Sequence, residues 1–143
     1  MLEKEVLITV NSKMDDTAGR QDAMSFVTEG KLTRDNGEYT LSYEESEITG
    51  LNGTTTILKV SDQSVTLIRH GNTSSMMLFE VGKTHLTDYN TEYGSIMLGV
   101  TAKKVDVNLN EGGGHIHVDY ILEYNRSYGG RNSIQVEVQT KKN

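Results

Sequence analysis

The chain has 143 residues, enough to bury roughly two thirds of its unfolded surface in one core without cross-links. Twenty acidic against 14 basic residues leave a net charge of −6 and a pI near 5.2, the wrong sign for a general nucleic-acid or anionic-membrane binder, so neither partner is expected. Zero cysteines exclude disulfides, thiolate metal sites and cysteine nucleophiles, and zero prolines remove the usual linker punctuation, so one domain over residues 1–143 is expected.

The opening Met1-Leu2-Glu3-Lys4-Glu5 is acidic where a secretory signal needs a basic region, and no apolar run follows it. No stretch approaches the ~18 apolar residues of a membrane-spanning helix. A soluble, cytoplasmic protein is the expectation. The Asn-x-Ser/Thr tripeptides at Asn52, Asn72 and Asn125 are read as coincidence in a chain rich in these residues.

Period-two alternation runs through nearly the whole chain, and no window shows apolar residues at helical spacing over three turns. Val6, Ile8 and Val10 alternate with polar residues in the first strand. Met24, Phe26 and Leu32 share a parity in the next, and Tyr39, Leu41 and Tyr43 in the third, with Asn36-Gly37 between them. Asn-Gly between alternating runs signals a two-residue hairpin, because both turn positions need positive φ. That loop sets Leu32 opposite Leu41, Gly30 opposite Tyr43 and Thr28 opposite Glu45, and the apolar faces coincide. A bare Gly30 lets the facing aromatic lie over it.

Asp62-Gln63 as a second two-residue loop pairs Val60 with Val65, Leu58 with Leu67, and Thr56 with Arg69. Further strands are expected around 76–81, 85–89, 93–109, 115–124 and 134–140, with turns at Gly82, 110–114 and 128–132. Apolar parity changes between Ile96-Leu98-Val100 and Val105-Val107-Leu109, which a bulge near Lys103-Lys104 explains. The sum is an all-β chain: one closed or nearly closed antiparallel up-and-down β-barrel of eight to ten strands, since closure removes exposed edges. A barrel of this size encloses packed side chains or one small ligand.

Arg69 has the inward parity of Val65 and Leu67, and an inward arginine needs a partner. Glu45 and Glu47 share the parity of Tyr43 and are both candidates. A two-residue Asn52-Gly53 loop would set Glu45 opposite Val60 and Glu47 opposite Leu58, and a longer loop would shift that offset. Thr28, Thr54, Thr56, Tyr39, Tyr43, Tyr89, Thr91 and Tyr93 add hydroxyls to the same interior. Hydroxyls beside one fixed charge can orient a ligand, and a guanidinium fork fits a carboxylate or phosphate. The plainer reading is that Arg69 lies at a barrel end with its head in water, and that Thr and Tyr are simply good strand formers.

His115, His117, Asp119 and Glu123 share the face opposite Ile116, Val118 and Tyr120, which makes them a solvent-facing row rather than a metal site. Gly112-Gly113-Gly114 precedes a strand, not a helix, and reads as a turn rather than a phosphate loop. Met76-Met77-Leu78-Phe79 reads as a strand packed on both sides rather than a partner surface. No nucleophile elbow or catalytic triad is recognisable, and no metal or cofactor is implied.

Phe26 to Gly30, Tyr39 with Tyr43-Glu44-Glu45, Gly50, Thr54-Thr55, Arg69 with Gly71, and Tyr89-x-Thr91-x-Tyr93-Gly94 follow one another in an order and spacing that resembles the YwiB-like family of uncharacterised small bacterial proteins. Thr101, Gly114 and Tyr120 also fit. The resemblance implies a calycin-like β-barrel, similar in architecture to lipocalins and fatty-acid-binding proteins, and an intracellular bacterial origin, with no established activity. The leading functional expectation is a barrel binding a small, partly apolar ligand, anionic if the guanidinium fork receives it, with Arg69 as anchor. The alternative is a non-catalytic interaction module docking a partner protein through a barrel edge or end. An enzyme using Glu45 or Glu47 as a general base comes third.

Overall fold

The computed structural model describes residues 2–16, 19–72, 74–91 and 94–141, and within them alternation is realised as ten strands in one sheet. In chain order they are β1 (Leu2–Asp16), β2 (Gln21–Asp35), β3 (Glu38–Glu44), β4 (Thr54–Val60), β5 (Ser64–Gly71), β6 (Ser75–Glu80), β7 (Thr84–Thr91), β8 (Gly94–Asn110), β9 (Gly113–Tyr124) and β10 (Ser127–Thr140). Every ladder is antiparallel, and the spatial order is β6-β5-β4-β3-β2-β1-β10-β9-β8-β7. The first and last strands pair from Val6↔Thr140 to Asp16↔Gly130, so the meander curls round on itself. The remaining seam, between β6 and β7, is bridged where Val81 pairs parallel with Ala102 of β8 and Gly82 N donates to Ala102 O at 3.4 Å. The barrel is nearly closed.

Two hairpins form in the expected register. Asn36 and Gly37 adopt φ of 53° and 80°, and Leu32 faces Leu41. Val60 faces Val65 and Thr56 faces Arg69 across the Asp62-Gln63 loop. The parity change in β8 is a register shift between Ala102 and Lys104, which leaves Lys103 as the extra residue.

Two expectations are corrected. Asn52-Gly53 is not a hairpin loop, because the chain from Glu45 to Gly53 folds into successive turns, with Thr49 N donating to Ser46 O and Gly50 N to Glu47 O. The β3–β4 ladder therefore runs Tyr39↔Val60, Leu41↔Leu58, Tyr43↔Thr56. Glu45, expected opposite Val60, instead donates its N–H to Thr54 O at 2.9 Å. The turn expected at 128–132 is strand: the reversal is made by Asn125 and Arg126, both at positive φ, and a bulge between Tyr128 and Gly130 absorbs the glycines.

Inward residues of the middle and of one end are packed tight, with Val6, Ile8, Leu32, Leu41, Val60, Val65, Phe79, Ile116 and Val136 almost fully buried. At the end formed by the β1–β2, β3–β4, β5–β6 and β9–β10 turns the inward row changes character. Val10 gives way to Ser12 and Met14, Leu67 to Arg69, and Ile134 to Asn132. Among the described residues no helix is long and apolar enough to cross a membrane.

Candidate functional site

The inward row at that end encloses an open cavity of about 460 Å³. Its walls are apolar, with Phe26, Met77, Leu98 and Leu122 among them, and half-exposed Met14, Met24 and Tyr124 stand at its rim. Ser12, Lys13, Thr49 and Ser133 also line it, and its more deeply set polar groups converge from strands far apart in sequence: Tyr43, Glu45, Arg69, Tyr120 and Asn132. A volume and lining of this kind suit a small, partly apolar molecule.

Register explains why three of these meet. Tyr43, Thr56 and Arg69 form one row across β3, β4 and β5, and Glu45 sits two residues beyond Tyr43 on the same face. The Glu45 carboxylate, 2% exposed, accepts hydrogen bonds from Thr56 Oγ1 at 2.5 Å and from Thr49 Oγ1 at 3.1 Å. Arg69 Nε lies 3.8 Å from its Oε2, an ion pair but too long for a hydrogen bond, and that Nε is buried without an acceptor. The Arg69 side chain is 28% exposed, so its head is neither free in solvent nor sealed in the core.

The phenols respond to this setting. Burial above all, then the charge of Glu45, pushes Tyr43 far above the ordinary tyrosine range, against the opposing pull of Arg69 and of a hydrogen bond with Thr56. Burial likewise raises Tyr120 to about 12, although the Arg69 charge lowers it. Both phenols are thus held neutral, able to donate or accept. Phe26 packs on Tyr43 with ring centroids 6.0 Å apart, and Phe79 on Tyr120 at 4.7 Å, which fixes both rings.

The other expected residues divide. Thr56 stands behind Glu45 as its hydrogen-bond donor, and Thr54 is buried on β4 with its carbonyl holding Glu45 N. Glu47 is exposed in the turn, so it is Glu45 that faces Arg69. Thr28 does not face Glu45, because the β2–β3 ladder stops at Lys31↔Ser42; its hydroxyl approaches Glu29 O at 3.4 Å. Tyr39 belongs to the opposite barrel end, where Arg34 stacks over its ring at 5.9 Å. The side chains of Tyr89 and Thr91, and Tyr93 as a whole, lie outside the described residues.

Sequence reasoning missed Asn132, which it assigned to a turn. The residue is 3% exposed, and its side chain lines the cavity and leaves both Nδ2 and Oδ1 buried without a partner. Extending the inward parity of Val138, Val136 and Ile134 back by two residues would have found it. Tyr120 was visible as part of an apolar face and of the family resemblance, not as a cavity residue.

The outward row holds a triad look-alike. Asp119 Oδ1 lies 2.9 Å and Ser133 Oγ 3.3 Å from the same His117 Nε2. A nucleophile relay needs the base to engage its two partners through different ring nitrogens, so this arrangement is not one. Desolvation raises Asp119, but hydrogen bonds from Ser133 and His117 and the nearby charges of His117 and Lys104 outweigh it and hold the carboxyl below its ordinary value. His115 pairs instead with Asp106 at 3.4 Å. Among the described residues no group of three or more His, Cys, Asp or Glu could hold a metal ion.

A ten-stranded, nearly closed antiparallel barrel with one mixed-polarity cavity at an end defines the class: a small β-barrel protein with an internal pocket. Residues 8–136 match the family described as Domain of unknown function (DUF1934), and the chain belongs to that family. It is 29% identical over 119 residues to an uncharacterised β-barrel protein, YwiB, of Bacillus subtilis, covering 82% of this chain and 81% of that one. The crystal structure of ywiB protein from Bacillus subtilis superposes with a TM-score of 0.79 at 21% identity, over 98% of this chain and 94% of that one, a likeness of fold.

Proposed function

We propose that the protein binds a small, partly apolar molecule in the barrel-end cavity, with its polar head against Arg69 and its apolar body along Phe26, Met77, Leu98 and Leu122. The observation that carries this reading is Arg69 itself. A guanidinium whose buried Nε has no hydrogen-bond acceptor, at the floor of an open cavity of about 460 Å³, has hydrogen-bonding capacity that the protein leaves unused. A packed barrel would have filled that volume with side chains, as the middle of this barrel does.

Glu45 offsets the charge of Arg69, so the site offers mainly oriented donors rather than strong net positive potential. Its soluble, acidic, cysteine-free composition suits a cytoplasmic carrier or sensor. Glu45 is engaged by hydroxyls and a cation, which disfavours it as a general base.

Fluorescence titration with anilinonaphthalene sulfonate, a partly apolar probe, tests the reading. The protein is expected to bind it saturably, and Leu98→Trp, which fills the cavity, is expected to abolish binding while leaving the melting profile cooperative. Undiminished probe binding by the filled variant would place the probe elsewhere and sink the proposal.

A further inference from the structure

The reading above leaves open what head group the cavity accepts, and Asn132 addresses it. A carboxamide carries donors on one side and acceptor lone pairs on the other. Here both sides are orphaned, in a residue 3% exposed that lines the same cavity as Arg69. Asn132 faces Tyr120 across the β9–β10 ladder and Met14 across the β1–β10 ladder. The Arg69 charge in turn reaches Tyr120. Donor, acceptor and phenol are therefore grouped on one side of the floor, with the Arg69–Glu45 pair close by.

We infer that the cavity selects a neutral head group bearing an acceptor and a donor side by side, of the carboxamide class (primary amide, lactam or urea), over a carboxylate. The inference rests on the proposed cavity binding. An amide carbonyl would accept from Arg69 or from Asn132 Nδ2, and its N–H would donate to Asn132 Oδ1. A carboxylate can only accept, so it would leave Oδ1 unpaired and meet the charge of Glu45, which already offsets Arg69; Lys13, also in the lining, is exposed, and solvent screens its charge. Sites built to hydrogen-bond a donor reject analogues lacking it more strongly than apolar pockets reject a missing methylene. Because Nδ2 and Oδ1 are occluded when nothing is bound, the amide must turn toward the cavity as the head group arrives.

The test is a matched pair of probes, octanamide and octanoate, titrated into the isotope-labelled full chain and followed by NMR through the Met14, Met24 and Met77 methyl resonances for affinity and the Asn132 side-chain amide resonances for contact. Octanamide is expected to bind about tenfold or more tightly than octanoate and to move both Asn132 amide protons. In Asn132→Leu the two probes are expected to bind within about twofold of each other. Equal or tighter binding of octanoate to the unmodified chain, or amide preference that persists in Asn132→Leu, would overturn the head-group assignment and leave the cavity reading standing. Failure of both probes to perturb any cavity residue would overturn both. Octanamide binding with the Asn132 amide unmoved would show that water already satisfies that side chain, and would also refute the inference.

Discussion

Replacing Arg69 with methionine keeps most of the stem's apolar surface and deletes the cation facing Glu45. The carboxylate left behind is 2% exposed and keeps the hydroxyls of Thr56, Thr49 and Tyr43. Removing one member of a fully buried pair costs ~3–5 kcal/mol, chiefly by stranding the other charge. Arg69 is 28% exposed and its Nε is 3.8 Å away, so solvent screens part of that interaction and the expected loss is about 2 kcal/mol. Urea unfolding followed by circular dichroism reads it as a lower midpoint at unchanged slope. Lys31→Ala supplies the control. Lys31 Nζ lies closer to its partner Glu3, at 3.4 Å, but the two side chains are 61% and 48% exposed, and the expected loss is below about 0.5 kcal/mol. In Arg69→Met plus Glu45→Gln the penalty should shrink relative to Arg69→Met alone, because no charge remains stranded. Equal losses from Arg69→Met and Lys31→Ala would refute the reasoning, since burial rather than distance is what separates the two pairs.

Further predictions concern the phenols, a glycine and the asparagine. Tyr43 and Tyr120 are raised above the ordinary value of 10.0, Tyr120 to about 12, so the unfolded chain releases these protons first as pH climbs. Stability is then full below pH 10 and falls between pH 10 and about 12 by roughly 1.4 kcal/mol per pH unit for each phenol. Urea midpoints across that range should show the slope, and Tyr43→Phe with Tyr120→Phe should flatten it; an unchanged slope would contradict the burial. Gly30→Ala is expected to cost about 2 kcal/mol or more, because a Cβ there would strike Ser42 O and the Ile8 side chain, and a thermal midpoint equal to the parent's would disprove that close approach. Asn132→Leu is expected to raise the melting midpoint by about 2–4 °C, as two unpaired polar atoms leave the interior at a net gain of roughly 1 kcal/mol. A lower midpoint would mean that both atoms have partners.

The hairpins at Asn36-Gly37 and Asp62-Gln63 were legible because a two-residue loop and a buried face each specify register, and the two agreed. Arg69 was legible for the same reason, as a charge at an inward parity. The second Asn-Gly misled because the same dipeptide also ends a longer connection: Thr54 N donates to Leu51 O at 3.1 Å, and Gly53 takes φ of 76° there rather than in a hairpin. Only tertiary pairing distinguishes the two uses, and the choice between Glu45 and Glu47 depended on it. Asn132 was hidden by Gly129-Gly130, which look like a turn but form a bulge, so the strand's start was read too late. Tyr39 and Thr28 had the right parity but the wrong height along the barrel, a coordinate that alternation does not encode. The cavity arises from height, where large inward residues give way to polar and flexible ones.

Methionines report on that cavity most directly. Met14, Met24 and Met77 line it, whereas Met76, next in sequence to Met77, is 54% exposed on the outer face, so β6 is packed on one side and not on both as its apolar run suggested. In methyl-labelled protein screened against small amphiphilic compounds, binders are predicted to shift the Met14, Met24 and Met77 methyls together and leave Met76 still. Shifts at Met76 without the other three, or no shift at all across charged and neutral head groups, would contradict the account.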